Sequence, residues 1–135
     1  MSITAIRQGI ATNIATVSGL RTSYYILDNP NPPVAIVAPP TIKYGLSFGV
    51  GLDEYNFQVI VLVTRADERI GQELIDAYCA PTGAGSVKAA IESDRTLGGL
   101  VADLHVTDMT GVSPTTLADG QVYLSATFAV QVFAQ

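Results

Sequence analysis

The segment from Asn56 to Thr64 constrains the fold most, because it is apolar on both of the faces that a strand would present. Its odd-numbered positions from 57 to 63 are phenylalanine and valine, and its even-numbered positions include Ile60 and Leu62. Successive side chains of a strand point to opposite faces of a sheet, so this segment needs an apolar layer on each side. We therefore expect it at the centre of a sheet, buried on both faces.

Alternation of apolar and polar residues indicates further strands. The longest predicted strand runs from Val122 to Val132 and carries no charge, so we expect it to lie inside the sheet or under a second subunit. Shorter strands are predicted over 22–27, 34–38, 44–52 and 100–107, with a turn at Asp53 and Glu54 and a polar loop over 109–120. Prolines on both sides of 34–38 favour a place near a sheet edge.

Helical periodicity indicates three helices. The first runs from about Ser2 to Val17, ends at Gly19 and has an apolar stripe of isoleucines with polar residues opposite. A second helix is predicted between a capping residue, Asp67, and Pro81, and a short third helix follows a cap at Ser86. The inward positions of these two helices are Ile70, Leu74, Ile75 and Tyr78 in the second and Val87, Ala90 and Ile91 in the third.

The order of these segments is a helix, several strands, two adjacent helices and two final strands. This order is typical of an α+β fold, here a mixed, mostly antiparallel β-sheet with an N-terminal helix and two adjacent central helices packed on one face. At 135 residues, the chain is expected to form a single domain over 1–135.

Composition excludes several classes of function. The formal net charge is −5 and the seven basic residues are scattered, which argues against a protein that grips a phosphate backbone. The single cysteine, Cys79, cannot form an internal disulfide or a multi-cysteine zinc site. We expect neither an export signal nor a membrane segment, since no apolar run approaches the roughly 20 residues that span a bilayer.

Few residues are candidates for chemistry. His105, the only histidine, shares a predicted strand face with Asp103, and together with Asp108 they could hold a metal or exchange protons; a solvated surface histidine is the alternative. The sequence Gly83-Ala84-Gly85-Ser86 before a helix, with Lys88 nearby, suggests either an anion cradle or a hinge, and it lacks the spacing of a phosphate-binding loop. We expect no catalytic site, no metal and no cofactor.

The segment from Pro39 to Tyr55 is a candidate subunit interface. It combines glycines with apolar residues at alternate positions. It is either an ordinary core hairpin or an extended arm that packs on a neighbouring subunit. The interface residues predicted on the second interpretation are Tyr44, Leu46, Phe48, Val50, Leu52 and Tyr55.

The order of segments along nearly the whole chain resembles the tail terminator proteins of long-tailed bacteriophages, in particular those of actinobacterial phages. The resemblance covers the amphipathic N-terminal helix, the proline-rich 33–40, the strand 57–63, the helix 72–78 and the segments 85–91 and 94–99.

This resemblance implies a structural virion protein. It implies a homohexameric ring that caps the tail tube, contacts the tail tube protein and a head-closure protein, and passes the genome through its lumen without specific binding. A head-closure or tail-tube subunit is the nearest alternative, and a small ligand-binding or enzymatic domain using the region of His105 is an alternative of another class.

Overall fold

The computed structural model describes residues 3–25, 33–44, 53–64, 69–116, 120 and 122–134. Its elements, in chain order, are α1 (Ile3–Ile14), β1 (Arg21–Ser23), β2 (Val34–Val37), β3 (Thr41–Lys43), β4 (Asp53–Thr64), α2 (Arg69–Cys79), α3 (Val87–Ile91), β5 (Asp103–Thr116) and β6 (Val122–Ala134). The predicted α+β class is confirmed, with a mixed, mostly antiparallel sheet.

The sheet has the strand order β1-β2-β4-β6-β5, and β3 pairs with β4 beyond the end of β2. Only the β1–β2 pair is parallel, and the other pairs among the described strands are antiparallel. The predicted central position of 56–64 is confirmed, because β4 lies between β2 and β6. The last strand, β6, is also interior, whereas β2 lies one strand inside the edge that β1 forms.

The helices cover one face of the sheet, as predicted. Ile6, Ile10 and Ile14 of α1 are fully buried in the same cluster as Phe57 and Phe128. Full burial of an aliphatic or phenylalanine side chain stabilises a fold by about 1.5–3 kcal/mol, so this layer is the main source of stability. The opposite face carries a smaller buried cluster, formed by Val34, Ile36, Leu62 and Tyr123 with Ile60 against it.

Ser86 caps α3 as predicted. Its hydroxyl accepts the amide N–H of Ala89 at 3.1 Å and donates to the carbonyl of Ala80. The inward positions of α3 are also confirmed, since Val87, Ala90 and Ile91 are buried. In α2, Ile75 and Tyr78 are buried, but Leu74 is 36% exposed, so the predicted stripe is narrower than the spacing suggested. Asp67 lies outside the described residues.

Two predicted breaks are strands in the structure. Asp53 and Glu54 begin β4 instead of forming a turn, because they pair with Ala134 and Phe133 of β6. Residues 109–116, predicted as a loop, continue β5 along β6. Pro114 lacks an N–H, and an edge strand tolerates this because no ladder hydrogen bond is needed on its outer side.

The remaining differences concern the short strands. The predicted strand 22–27 is β1 followed by a bend at Tyr24 and Tyr25, and β3 was not predicted. Of the predicted strand 44–52, Tyr44 lies outside a strand and 45–52 fall outside the described residues. Leu100 and Ala102 precede β5, which begins at Asp103.

Candidate subunit-contact site

Two members of the predicted interface set lie in the described part of the chain, and they have opposite environments. Tyr44 follows β3 directly, and its side chain is 75% exposed. Tyr55 lies in β4, is only 7% exposed and stacks on Phe57 with ring centroids 6.5 Å apart. Tyr55 therefore serves the core of its own chain, and its burial argues against a role in contacting a neighbour. Leu46, Phe48, Val50 and Leu52 lie outside the described residues.

The residues that flank 44–53 are held by a polar cluster on the sheet face opposite the helices. Lys43 and Glu54 are paired across β3 and β4, and their charged atoms are 3.6 Å apart. The Glu54 carboxylate also accepts the side-chain amides of Asn56 at 2.8 Å and Gln131 at 2.6 Å. The hydrogen bond from Asn56, followed by the Lys43 charge and the Gln131 hydrogen bond, holds the pKa of Glu54 below its ordinary value despite burial.

This cluster fixes the chain on either side of 44–52. Glu54 is 8% exposed, and its charge is held in the fold by hydrogen bonds from Asn56 and Gln131 and by the nearby Lys43 ammonium. Since Lys43 and Glu54 are register partners, the residues that precede and follow 44–53 lie side by side. Tyr44 is consequently presented to solvent from a fixed base.

A pair of exposed aromatic residues follows β1. Tyr24 is 36% exposed and Tyr25 is 53% exposed, and their rings meet edge to face with centroids 5.3 Å apart. The hydroxyl of Ser23 donates to the carbonyl of Tyr25 at 2.7 Å and accepts its N–H, which fixes the bend. Sequence reasoning missed this pair by extending the strand through it. The signal was present, since Ser23 favours a local turn and 28–33 are rich in proline and asparagine.

The two acids predicted to act with His105 are engaged by other side chains, and for Asp108 the donor is the Thr107 hydroxyl at 2.8 Å. Asp103 shares the face of β5 with His105, but it is engaged by Arg95, which donates from Nε at 2.9 Å and from a terminal nitrogen at 3.1 Å. His105 is half-buried, with its ring centroid 6.3 Å from that of Phe133. No group of three or more His, Cys, Asp and Glu side chains suited to a metal ion occurs in the described ranges.

The other candidates for chemistry have structural partners. The Ser86 hydroxyl caps α3, and the Lys88 ammonium bonds Glu92 at 2.7 Å, so both groups named for the anion-cradle alternative have partners within the fold. Burial, and next the charge of Asp76, raise the pKa of the Cys79 thiol, which packs against the core. A raised thiol pKa disfavours the reactive thiolate.

The exposed acids of α2 behave as a solvated face. Glu73 pairs with Arg69 at 3.8 Å one turn away, and both side chains are largely exposed. Such surface pairs contribute little to stability. No helix in the described segments is long and apolar enough to cross a membrane.

No protein-family model matches the chain, and no curated protein is significantly similar to it in sequence.

Proposed function

We propose that this chain is a structural virion protein, the tail terminator of a long-tailed bacteriophage. Copies of the chain form a hexameric ring that caps the tail tube and joins it to the head-closure complex. The genome passes through the lumen without specific binding. The terminator assignment draws on the resemblance in the order of segments, and the structural support is for the broader class of a protein that binds proteins.

The observation that carries the proposal is the exposure of Tyr44 on a fixed base. A tyrosine whose side chain is 75% exposed contributes little to its own fold. Tyrosines are enriched among residues that dominate binding energy, because they bury a large area at low conformational cost. Tyr44 is thus suited to anchor a protein partner.

Electrostatics supports passage of DNA without binding. The chain carries a net charge of −5, and its described cations are largely engaged by acids, as in the pairs Arg95–Asp103 and Lys88–Glu92. A lumen of the same sign as DNA repels the phosphate backbone and does not retain it.

Electron microscopy of the particle that contains this chain tests the assignment. A terminator gives a single ring at the head-proximal end of the tail. Stacked rings along the tail would identify a tail-tube subunit, and a ring inside the connector would identify a head-closure protein. A metal bound stoichiometrically to the purified chain and lost in His105→Ala would favour the alternative of a small enzymatic or ligand-binding domain.

The role of Tyr44 is tested by assembly. We expect Tyr44→Ala to reduce incorporation of the chain into particles by at least about tenfold, as loss of an aromatic anchor does, while thermal unfolding stays unchanged. Tyr44→Phe keeps the ring and serves as the matched control. Normal assembly of Tyr44→Ala would exclude Tyr44 as an anchor.

A further inference from the structure

A groove lies between α1 and β1, away from the polar cluster at Glu54. Its volume is about 490 Å³, and its lining residues are Gln8, Ala11, Thr12, Ala15, Thr22 and Tyr24. None of these residues is charged, and most of them are small. The Tyr24 ring, supported edge-on by Tyr25, contributes an aromatic wall. The groove is therefore suited to uncharged side chains and has room for more than one of them.

A protruding side chain of that kind lies on β5. The pairing of β5 with β6 shifts register between Thr110 and Ser113, so that Gly111 and Val112 together oppose only Ala126. A β-bulge of this type bends the strand and re-aims its side chains. Val112 is 41% exposed, and a Cβ placed on Gly111 would meet nothing within 4 Å. We call residues 110–113 the Val112 bulge.

The groove and the bulge lie on opposite sides of the subunit. β1 and β5 are the first and last strands of the sheet, separated by four interstrand spacings, or roughly 19 Å. A protrusion on one side and a complementary groove on the other cannot meet within one chain. Between copies they form a head-to-tail contact that repeats from subunit to subunit, and such contacts close into a ring when the rotation between copies allows.

The opposite positions of the groove and the bulge favour a second copy as the occupant, and the lack of charge on both surfaces is compatible with it. Two copies that each carry a net charge of −5 repel one another, so a contact between them is least unfavourable where neither surface adds charge. The strand from Met109 to Thr116 has no charged residue, and neither has the groove lining. We propose that the Val112 bulge of one copy sits in the α1–β1 groove of the next. Closure of this contact into a ring rests on the proposed function.

The inference is tested with two variants that each block one surface. Ala15→Arg fills the groove with a charged side chain, and Val112→Arg does the same to the bulge. Both positions are exposed, so we expect both variants to fold, as circular dichroism and thermal unfolding would verify. Each variant alone is expected to weaken self-association at least about tenfold, because a charge would be buried without a partner. Leu74→Arg, on the exposed part of α2, is the control and should associate like the wild type.

Mixing the two variants distinguishes a head-to-tail contact from any other. Ala15→Arg retains a working bulge and Val112→Arg retains a working groove, so an equimolar mixture should form a one-to-one dimer and nothing larger. Native mass spectrometry resolves this dimer by giving one variant an isotopic label. A mixture that stays monomeric, or variants that associate as well as the wild type, would overturn the inference.

Self-association of the wild-type chain is a further test of this contact. Raising salt to about 0.5 M should strengthen it, because screening reduces the repulsion between like-charged copies. A wild-type chain that remains monomeric at ~1 mM under these conditions would also contradict the contact, since even a millimolar affinity would then be visible. A ring on the particle with unaffected variants would reject this contact but leave the terminator function standing. Stacked rings, together with variants that fail to associate, would reject the terminator function but leave this contact standing.

Discussion

The edge strand β5 has two halves, 103–108 and 109–116, that differ in their contacts with the rest of the chain. The first half makes hydrogen bonds and core contacts with other parts of the same chain. Asp103 is held by two hydrogen bonds from Arg95, and the backbone N–H of Val106 donates to the Glu92 carboxylate at 3.0 Å. Leu104 between them is fully buried. This half is part of the folding unit.

The second half of β5 has exposed side chains, but its backbone is poorly suited to pairing with another strand. From Met109 to Thr116 it is uncharged, it contains the Val112 bulge, and Pro114 removes one N–H. Bulges and prolines are devices that keep an edge strand from pairing with another strand. The difference between the halves teaches that a single edge strand can belong to the core at one end and expose uncharged side chains at the other.

The largest expected effect separates the halves by stability. Leu104→Ala should lower the free energy of unfolding by about 2–5 kcal/mol, since it leaves a cavity in the core under the helices. Val112→Ala, the matched truncation in the second half, should change it by less than about 0.5 kcal/mol. Urea unfolding measures both. Equal losses would mean that the second half also belongs to the folding unit.

A smaller effect on stability is expected at the contact between α3 and the first half of β5. Glu92 joins α3 to β5, because one carboxylate oxygen accepts the Val106 N–H and the other accepts the Lys88 ammonium. Glu92→Gln removes the charge while keeping an acceptor, so we expect a loss of roughly 1 kcal/mol by chemical denaturation at neutral pH.

The control for Glu92 is Glu73→Gln in α2. Glu73 makes a pair with the same residue spacing, but its side chain is 68% exposed. Its loss should stay within about 0.5 kcal/mol. If both substitutions cost the same, the hydrogen bond to β5 contributes nothing beyond an ordinary surface pair.

Sequence reasoning predicted those parts of the fold that follow from periodic burial. The central position of β4, the buried face of α1 except for the exposed Ile3, and the cap at Ser86 are confirmed, and each depends on residues within one segment. The second half of β5 escaped prediction, because pairing with β6 decides its conformation and its glycine, serine and proline resemble a loop.

The candidate site was predictable to a smaller extent. Tyr44 was predicted to contact a partner because it is an aromatic residue near several glycines, and it is exposed, whereas the burial of Tyr55 depends on the neighbouring strands. The groove between α1 and β1 has no local signal at all, since its two walls come from separate elements. Surfaces made by distant segments require the assembled sheet before they can be recognised.

The smallest effect concerns the ion pair that begins β5, and it depends on pH and salt. The hydrogen bonds from Arg95, followed by its charge, hold the pKa of Asp103 below its ordinary value. A carboxyl group with a lowered folded-state pKa stabilises the fold above its unfolded-state pKa of about 3.9, and this stability is lost as pH falls through the lowered pKa. The stability difference between wild type and Asp103→Asn should therefore be full at neutral pH and shrink under acid.

Salt provides the independent check, because both side chains of this pair are about half exposed, at 51% for Arg95 and 46% for Asp103. Exposed pairs are screened at high ionic strength, so ~1 M salt should remove most of the difference at neutral pH. The Glu92 carboxylate is only 19% exposed and is screened less, so the effect of Glu92→Gln should persist under the same conditions. A salt response of equal size for both variants would show that the Glu92 contact between α3 and β5 is as accessible to solvent as the Arg95–Asp103 ion pair.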